Sequence, residues 1–528
     1  MSHPTVESRS RDVEDSRLLA QLGYKQELKR EFTKLELFGF GFSVNAVIPS
    51  IASTLFYSMG NGGPVAMVWG WGISSVFIMF IALAMAELGS AAPTSGGIYY
   101  WTHKFCAPKY RNLTCWMVGY LNTISYIAGV SGLAWTCANV IMAGASIGSD
   151  GAFVPTIHQT YGVFIAILIT MATLASCATK VLARLQNFLI VLNIALVLVI
   201  CIALPAGSPS EFKNSAKFAF GHFENLTPWT NGFAFILSFL APLWSISGFD
   251  VGLHISEEAR NANVAVPWAI VWATALGCLL GFAVQIALAF VMGPDVGSIL
   301  ANAEQQPIAQ IILNCLGKKG MLVIWSFIFI ATYGSGTGLL LSSSRQTFAF
   351  SRDGALVFSK YLYKINPYTG TPVRCVWFSA FIAALLTLLT FAGPAATGAI
   401  FSLGVIGQYV ADSIPVAARY LGGQPFEKGP FHLGVFSKPV AMIACAWMWF
   451  MTIVLLFPAA PDPTAETMNY TVVVIGGVFA IALGYYYFPV YGGVNWFKGP
   501  ITNVDAGDET KSDGGSMEKK NSGDISPL

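Results

Sequence analysis

Two stretches of this chain place polar and helix-breaking residues where the surroundings are apolar. Ala241-Pro242-Leu243-Trp244-Ser245-Ile246-Ser247-Gly248-Phe249-Asp250-Val251-Gly252 carries a proline, two serines, two glycines and an acid. Phe40-Gly41-Phe42-Ser43-Val44-Asn45-Ala46-Val47-Ile48-Pro49-Ser50-Ile51-Ala52-Ser53 carries Pro49 among small polar side chains. Pro49 has no backbone donor and disfavours helix at Ile48. Asn45, Ser50 and Ser53 can satisfy the backbone groups that a break exposes. A half-helix N-terminus offers free N–H groups and a positive dipole end to a carboxylate, and free carbonyls accept from an ammonium. Such a pair of breaks suits a zwitterion and needs no metal or redox cofactor. Asp250 is read as the one acid deep within a membrane span. An intramembrane carboxylate costs several kcal/mol and marks a functional site by default. The alternative is a structural acid paired with a neighbouring hydroxyl or amide.

The elements that position these residues follow from where charge is missing. Of 528 residues, 55% are hydrophobic and 11% charged, with mean hydropathy +0.61. A soluble chain carries roughly a quarter charged residues. An ordinary soluble enzyme and a nucleic-acid binder are therefore excluded, and the lipid bilayer is the expected surrounding. Ten windows of 23 residues or more lack Asp, Glu, Lys and Arg: 37–86, 112–149, 151–179, 185–210, 225–249, 261–294, 320–344, 375–411, 439–461 and 467–497. A spanning helix needs about 20 apolar residues. The first window breaks at Asn61-Gly62-Gly63-Pro64 and holds two spans, as does 373–421, broken at Gly393-Pro394. The expectation is an all-α polytopic protein of twelve transmembrane helices. A β-barrel is excluded, because its strands alternate over about ten residues.

With both termini inside, the outer loops hold only Lys213, Lys217, Lys318 and Lys319 of the 29 basic residues. Basic residues favour the cytosolic side, so N-in, C-in is expected. The first 34 residues lack an apolar h-region, so no cleavable signal peptide is expected. Residues 1–34 and 499–528 read as cytosolic tails, the latter disordered. The nine cysteines show no CxxC pair and no disulfide framework. Glu87, Glu257, Glu258 and Arg260 fall at inner helix ends, opposite a basic loop 345–374 that contains Arg352. They read as an inner gate of ion pairs, or as ordinary pairing at the membrane interface. His254 could shuttle protons or simply be hydrogen-bonded. Spans 1 and 6 are five apart, so their breaks occupy equivalent positions in a five-plus-five repeat.

Five motifs carry a family resemblance. They are Glu87-Leu88 with Pro93-Thr94-Ser95-Gly96-Gly97-Ile98-Tyr99-Tyr100-Trp101; Ser247-Gly248-Phe249-Asp250 through His254-Ile255-Ser256-Glu257-Glu258-Ala259-Arg260-Asn261; Ser342-Ser343-Ser344-Arg345 through Asp353-Gly354-Ala355; and Pro49-Ser50-Ile51-Ala52-Ser53-Thr54 with Ala183-Arg184-Leu185-Gln186-Asn187. Over about residues 30–500 the chain resembles the amino acid–polyamine–organocation carriers, in the fungal amino-acid/choline branch. The resemblance implies a leucine-transporter-type fold. Its first repeat would span 35–206 and its second 232–421, with spans 11 and 12 at 437–490 as peripheral helices. It places the carboxylate cradle at Asn45, Ala46, Val47, Ile48, Pro49, Ser50 and Ile51. It makes Trp244 and Phe249 candidates for closing over the substrate, beside Ser245, Ser247, Gly248 and Asp250. Asn122, Tyr126, Tyr333, Ser335, Thr337, Gln408 and Tyr409 would supply the remaining wall. The chain departs from many relatives in having no glycine between Phe42 and Gly60, and Asn193 where some proton-coupled relatives have lysine.

The expected function is secondary active transport of a small amino acid, γ-aminobutyrate or a relative, by alternating access coupled to protons. One alternative is a choline, other quaternary-amine or polyamine permease, with Trp244, Phe249 and Tyr126 as a cation–π cage. Another is a nutrient sensor that binds without transporting. No nucleophile–base pair or metal cluster supports an enzyme. The plasma membrane is the expected location, with the vacuolar membrane as the alternative.

Overall fold

The computed structural model describes residues 6–177, 179–301, 306–464 and 467–502. Among these the chain is helical throughout, with only two isolated β-bridges, Phe32 to Ala259 and Asn61 to Asn225. Eleven helices are long and apolar enough to cross a membrane. Spans 1–4 are Lys34–Gly60, Gly63–Ala91, Arg111–Gly148 and Ile157–Cys177. Spans 5–8 are Val181–Gly207, Asn231–His254, Ala262–Val291 and Pro307–Arg352. Spans 9–11 are Val373–Ala392, Pro394–Leu421 and Gly434–Leu455. The expected twelfth is the apolar helix Thr471–Tyr487. Its 17 residues rise about 25 Å, just short of a ~30 Å hydrocarbon core. Span 8 is broken at Gly317 (φ 68°), so its first turns form a separate segment before the span proper.

Span 3 is the central post, packed against spans 8 and 10. Shifting each number by five relates the span 3–span 10 contact to the span 8–span 5 contact, and both are present. Span 2 lies along span 7, its own counterpart under that shift, and the second half of span 1 lies along the first half of span 6. Span 11 packs on spans 2 and 10, and Thr471–Tyr487 packs on spans 3 and 10, outside this ten-helix body. Two glycines permit close approach between spans. A Cβ on Gly281 of span 7 would lie 1.9 Å from the Trp71 ring of span 2, whose indole N–H is fixed by the Cys278 carbonyl at 3.0 Å. A Cβ on Gly119 of span 3 would lie 2.3 Å from Phe350 of span 8.

From Val6 onward, the segment expected as a cytosolic N-terminal tail is packed. It forms a helix, Val6–Gln21, and then crosses one face of the bundle. Tyr24, Leu28 and Phe32, four residues apart, are buried there. Phe32 donates its N–H to the Glu258 carbonyl at 3.0 Å and accepts from the Arg260 N–H at 3.0 Å. The Asp15 carboxylate accepts from the N–H groups of Asn261 and Ala262, at 2.7 and 3.3 Å, and so caps the start of span 7. Charge composition hides this, because the apolar anchors are spaced among lysines and glutamates. The C-terminal tail expected over 499–528 falls outside the described residues from 503 onward.

Candidate functional site

The first span is interrupted between Lys34–Asn45 and Val47–Gly60. Ala46 makes the break alone, at φ 31° and ψ 71°. This is left-handed backbone that a side chain adopts at a cost of about 1–3 kcal/mol. The missing glycine therefore does not prevent the interruption. Pro49 was expected to break the helix, but it stands at the third position of the second half-helix, where no intrahelical donor is lost. The freed carbonyls find hydroxyls: Ser335 Oγ donates to Val44 O and Ser50 Oγ to Asn45 O, both at 2.9 Å. The first N–H groups of the second half-helix, at Val47 and Ile48, have no partner within their own helix.

The sixth span breaks at Ile246 and Ser247, after the helix Leu240–Ser245. Ser247 Oγ donates to the Trp244 carbonyl at 2.9 Å. A single 3-10 turn, Gly248–Asp250, leads into Val251–His254. Val44 lies 2.7 Å from where a Gly248 Cβ would sit, which is why the two breaks can meet.

Between the breaks lies a cavity of about 30 Å³, room for one or two waters. Of the residues expected to bind substrate, Ser50, Tyr126, Trp244, Ser247, Gly248 and Asp250 line it, as does Gln408. Asn45, Ala46, Val47, Ile48, Pro49, Asn122, Ser245 and Phe249 are buried around it without lining it. Tyr333 is half-buried, beside Phe329. Ser335 binds the span 1 carbonyl rather than the cavity, and Thr337 returns its hydroxyl to Tyr333 O at 2.8 Å. Val44, Ser125, Gly129, Leu133, Val251, Leu339 and Gly404 complete the wall. They are small or apolar, and nothing in their types sets them apart from ordinary packing.

Asp250 is fully buried. Its Oδ1 accepts from Gln408 Nε2 at 2.5 Å, and its Oδ2 lies 3.7 Å from His254 Nε2. His254 Nδ1 is 2.8 Å from the Ser95 carbonyl, an acceptor, which assigns the ring proton to Nδ1. Nε2 then accepts from Asn122 Nδ2 at 3.4 Å. The Tyr126 ring meets the imidazole edge-on, with centroids 4.9 Å apart. Asp250 is not the only deep acid, contrary to expectation. Asp412 of span 10 is also fully buried, one helical turn beyond Gln408. The Gln408-x-x-x-Asp412 spacing could have shown that the two share a face. Asn193 donates to Leu189 O at 2.9 Å, within its own helix.

The cavity is closed at both ends. Away from the N-terminal face, the Trp244 indole donates to Ser53 Oγ at 3.1 Å and meets Phe401 edge-on, with centroids 4.7 Å apart. Toward the N-terminal face, Arg352 grips Glu257 through both terminal nitrogens at 3.1 Å, and Glu257 Oε1 also accepts the Ser95 N–H at 3.0 Å. Arg345 binds Glu258 at 2.7 Å, and Arg419 binds Glu87 at 2.8 Å. The expected gate acids thus meet arginines from spans 8 and 10. Arg260 is exposed and stands apart from these pairs. Arg345 and Arg352 belong to the end of span 8, not to a loop.

Asp353, just past span 8, ties both ends of the chain to this closure. It accepts from Tyr99 and Tyr24 hydroxyls at 2.7 and 3.3 Å and from the Ile501 N–H at 3.0 Å. Burial pushes its carboxyl from 3.8 up to about 6, against the pull of Arg352. Opening that wets Asp353 returns it toward 3.8, so the closed form binds the proton more tightly. Closure is therefore unpenalised below about pH 4, loses ground as pH rises to about 6, and is constant above. At about 1.4 kcal/mol per pH unit this amounts to roughly 3 kcal/mol. Asp353→Asn should favour the closed face at neutral pH and flatten its dependence between pH 4 and 6. The check is the alkylation rate of a cysteine placed beneath the face.

Two interrupted helices cupping a small cavity with an acid and an amide in its wall, closed at each end, define a membrane carrier. The family model described as amino acid permease matches residues 32–479. An uncharacterized amino-acid permease of Schizosaccharomyces pombe is 38% identical over 494 residues, covering 93% of this chain and 90% of the relative. The GABA-specific permease of Saccharomyces cerevisiae is 36% identical over 514 residues, covering 96% and 89%. Amino-acid permease 2 of Neurospora crassa is 33% identical over 493 residues, covering 92% and 89%. The chain belongs to the amino acid permease family.

Proposed function

We propose that the protein carries a small amino acid whose amine and carboxylate are set apart, γ-aminobutyrate or a close relative, by alternating access coupled to protons. The observation that carries this is the pair of polar features in the cavity wall. Asp250 and Gln408 line it, suited to an ammonium. Ser50, in the first turn of the second half of span 1, lines it too, so the open N-terminus of that half-helix, suited to a carboxylate, stands next to the wall. Similarity to a protein named as a GABA-specific permease supports the choice of substrate. The N-terminal face is taken as cytosolic, from the positions of the basic residues, and the membrane as the plasma membrane. The domain reading is repeats at 35–206 and 232–421 with the last two helices outside. A quaternary amine is less well served, since Trp244 and Tyr126 line the cavity but Phe249 does not.

Uptake of labelled amines and amino acids into proteoliposomes, with and without a proton gradient, tests the reading. Saturable γ-aminobutyrate accumulation that collapses with the gradient is the expected result. Choline or polyamine accumulation without γ-aminobutyrate uptake would replace the substrate. Saturable binding with zero flux would make the protein a sensor.

A further inference from the structure

Asp412 is a buried acid with no evident structural role. It lies two-thirds of the way along span 10 and is fully buried. Neither carboxylate oxygen has a hydrogen-bond partner. Gln408, one turn earlier on the same helix, gives one of its two amide N–H groups to Asp250 Oδ1 at 2.5 Å, and its side chain also stands close to Asp412. Asp250 Oδ2 is likewise without a hydrogen bond; the His254 ring stands 3.7 Å from it, and the Tyr126 hydroxyl is close to the same carboxylate. The titratable groups near Asp412 are Asp250 from span 6, Tyr126 from span 3 and Tyr409 on its own helix; His254 stands beyond Asp250, and Cys445 from span 11 meets the carbonyl of the next residue, Ser413. Tyr99, on the short helix Gly97–Phe105 packed against span 10, is committed to Asp353. Arg419, the cation on the same helix, is committed to Glu87 of span 2. Among the described residues no cation pairs with Asp412, and two neighbouring buried carboxylates repel each other's charge.

We propose that Asp250 and Asp412 share one proton, and that Asp412 holds it while Asp250 faces the substrate. Asp412 does not line the cavity, whereas Asp250 does. An ammonium arriving at Asp250 favours its anion. The proton leaves an Asp250 oxygen and an Asp412 oxygen gains one by way of the Tyr126 hydroxyl, which lies close to both carboxylates and gives up its own proton as it takes up the other, with no electron transferred and no co-reactant needed. Substrate and proton are then held together, one in front of span 10's polar face and one behind Gln408. When the opposite face opens and the ammonium departs, the proton returns to Asp250 and can leave by the same cavity.

This rests on the proton-coupled reading above, and one experiment separates the two. Reconstituted wild type and Asp412→Asn are compared in gradient-driven γ-aminobutyrate accumulation and in substrate–substrate exchange, each across external pH. The variant should lose at least tenfold in accumulation and lose its pH profile, while exchange falls no more than severalfold. Equal gradient-driven accumulation and an unchanged profile in the variant would overturn the proposal alone. Wild-type accumulation that ignores the proton gradient would overturn both readings. Should Asp412→Asn fail to fold, Asp412→Glu takes its place. It keeps an acid in altered surroundings, so a displaced pH profile supports the proposal and an unmoved one overturns it. Infrared difference spectra of the wild type give a further readout. A protonated-carboxyl band that shifts on substrate binding is expected, and its absence would count against the shared proton.

Discussion

Glu257→Ala is expected to lower uptake more than a hundredfold while exposing the cavity from the N-terminal face. Arg352 is 2% exposed at its side chain, and both of its terminal nitrogens bind Glu257. Removing one partner of a buried pair strands the other and costs about 3–5 kcal/mol. The closed form loses that amount, while an open form that wets Arg352 does not. A shift of about 4 kcal/mol moves a two-state equilibrium by roughly a thousandfold. Arg345 with Glu258 and Arg419 with Glu87 hold neighbouring helix ends, so the bundle as a whole should persist. A cysteine introduced in the cavity should then react faster from that side. The exchanged pair Glu257→Arg with Arg352→Glu should recover part of the uptake, though not the Ser95 N–H bond to Glu257. If Glu257→Ala alters neither accessibility nor uptake, the pair is a static staple rather than a lock.

Trp244→Ala should abolish measurable uptake at matched surface expression. The indole closes the far end of the cavity, held by Ser53 Oγ and by the edge of Phe401. It fits only because Gly132 and Gly404 leave room: a Cβ on either would approach the ring to 2.6 or 3.0 Å. Truncating a buried aromatic of this size costs about 3–5 kcal/mol. Here the loss falls on the form that seals the substrate from the far side. Trp244→Phe keeps the ring contacts and loses only the hydrogen bond, about 0.5–1.5 kcal/mol. Its uptake should fall only severalfold. Equal loss in both variants would mean that the hydrogen bond, not ring packing, makes the closure.

The spans are legible in the sequence because a charge within lipid is costly, so charge-free stretches report the membrane directly. The interruption of span 6 is legible for a similar reason: Pro242, Gly248 and Asp250 all weaken a buried helix. In span 1 the position is legible and the agent is not. Pro49 is the conspicuous residue, yet tertiary contacts hold Ala46 in backbone that its own type disfavours. Asp412 escapes notice because it ends a charge-free window and so reads as a boundary, whereas the helix carries it inward past Gln408. Arg345 escapes for the converse reason, and Arg352, though expected opposite the gate acids, is misplaced in a loop. A run of basic residues suggests a wet loop, but Glu257 and Glu258 neutralise these two at the end of a helix. The packed N-terminal segment illustrates that a strap needs only a few apolar anchors.

The cavity of about 30 Å³ leaves little spare room around its lining side chains. A bulky solute must push helices apart to enter, and the work of that expansion is subtracted from its affinity. Selection by size is thereby built into the resting state: each extra carbon in a competing solute requires more dilation. Widening the chamber by trimming a wall residue such as Leu133 or Leu339 would relax that discrimination before it strengthened any single bond to the cargo.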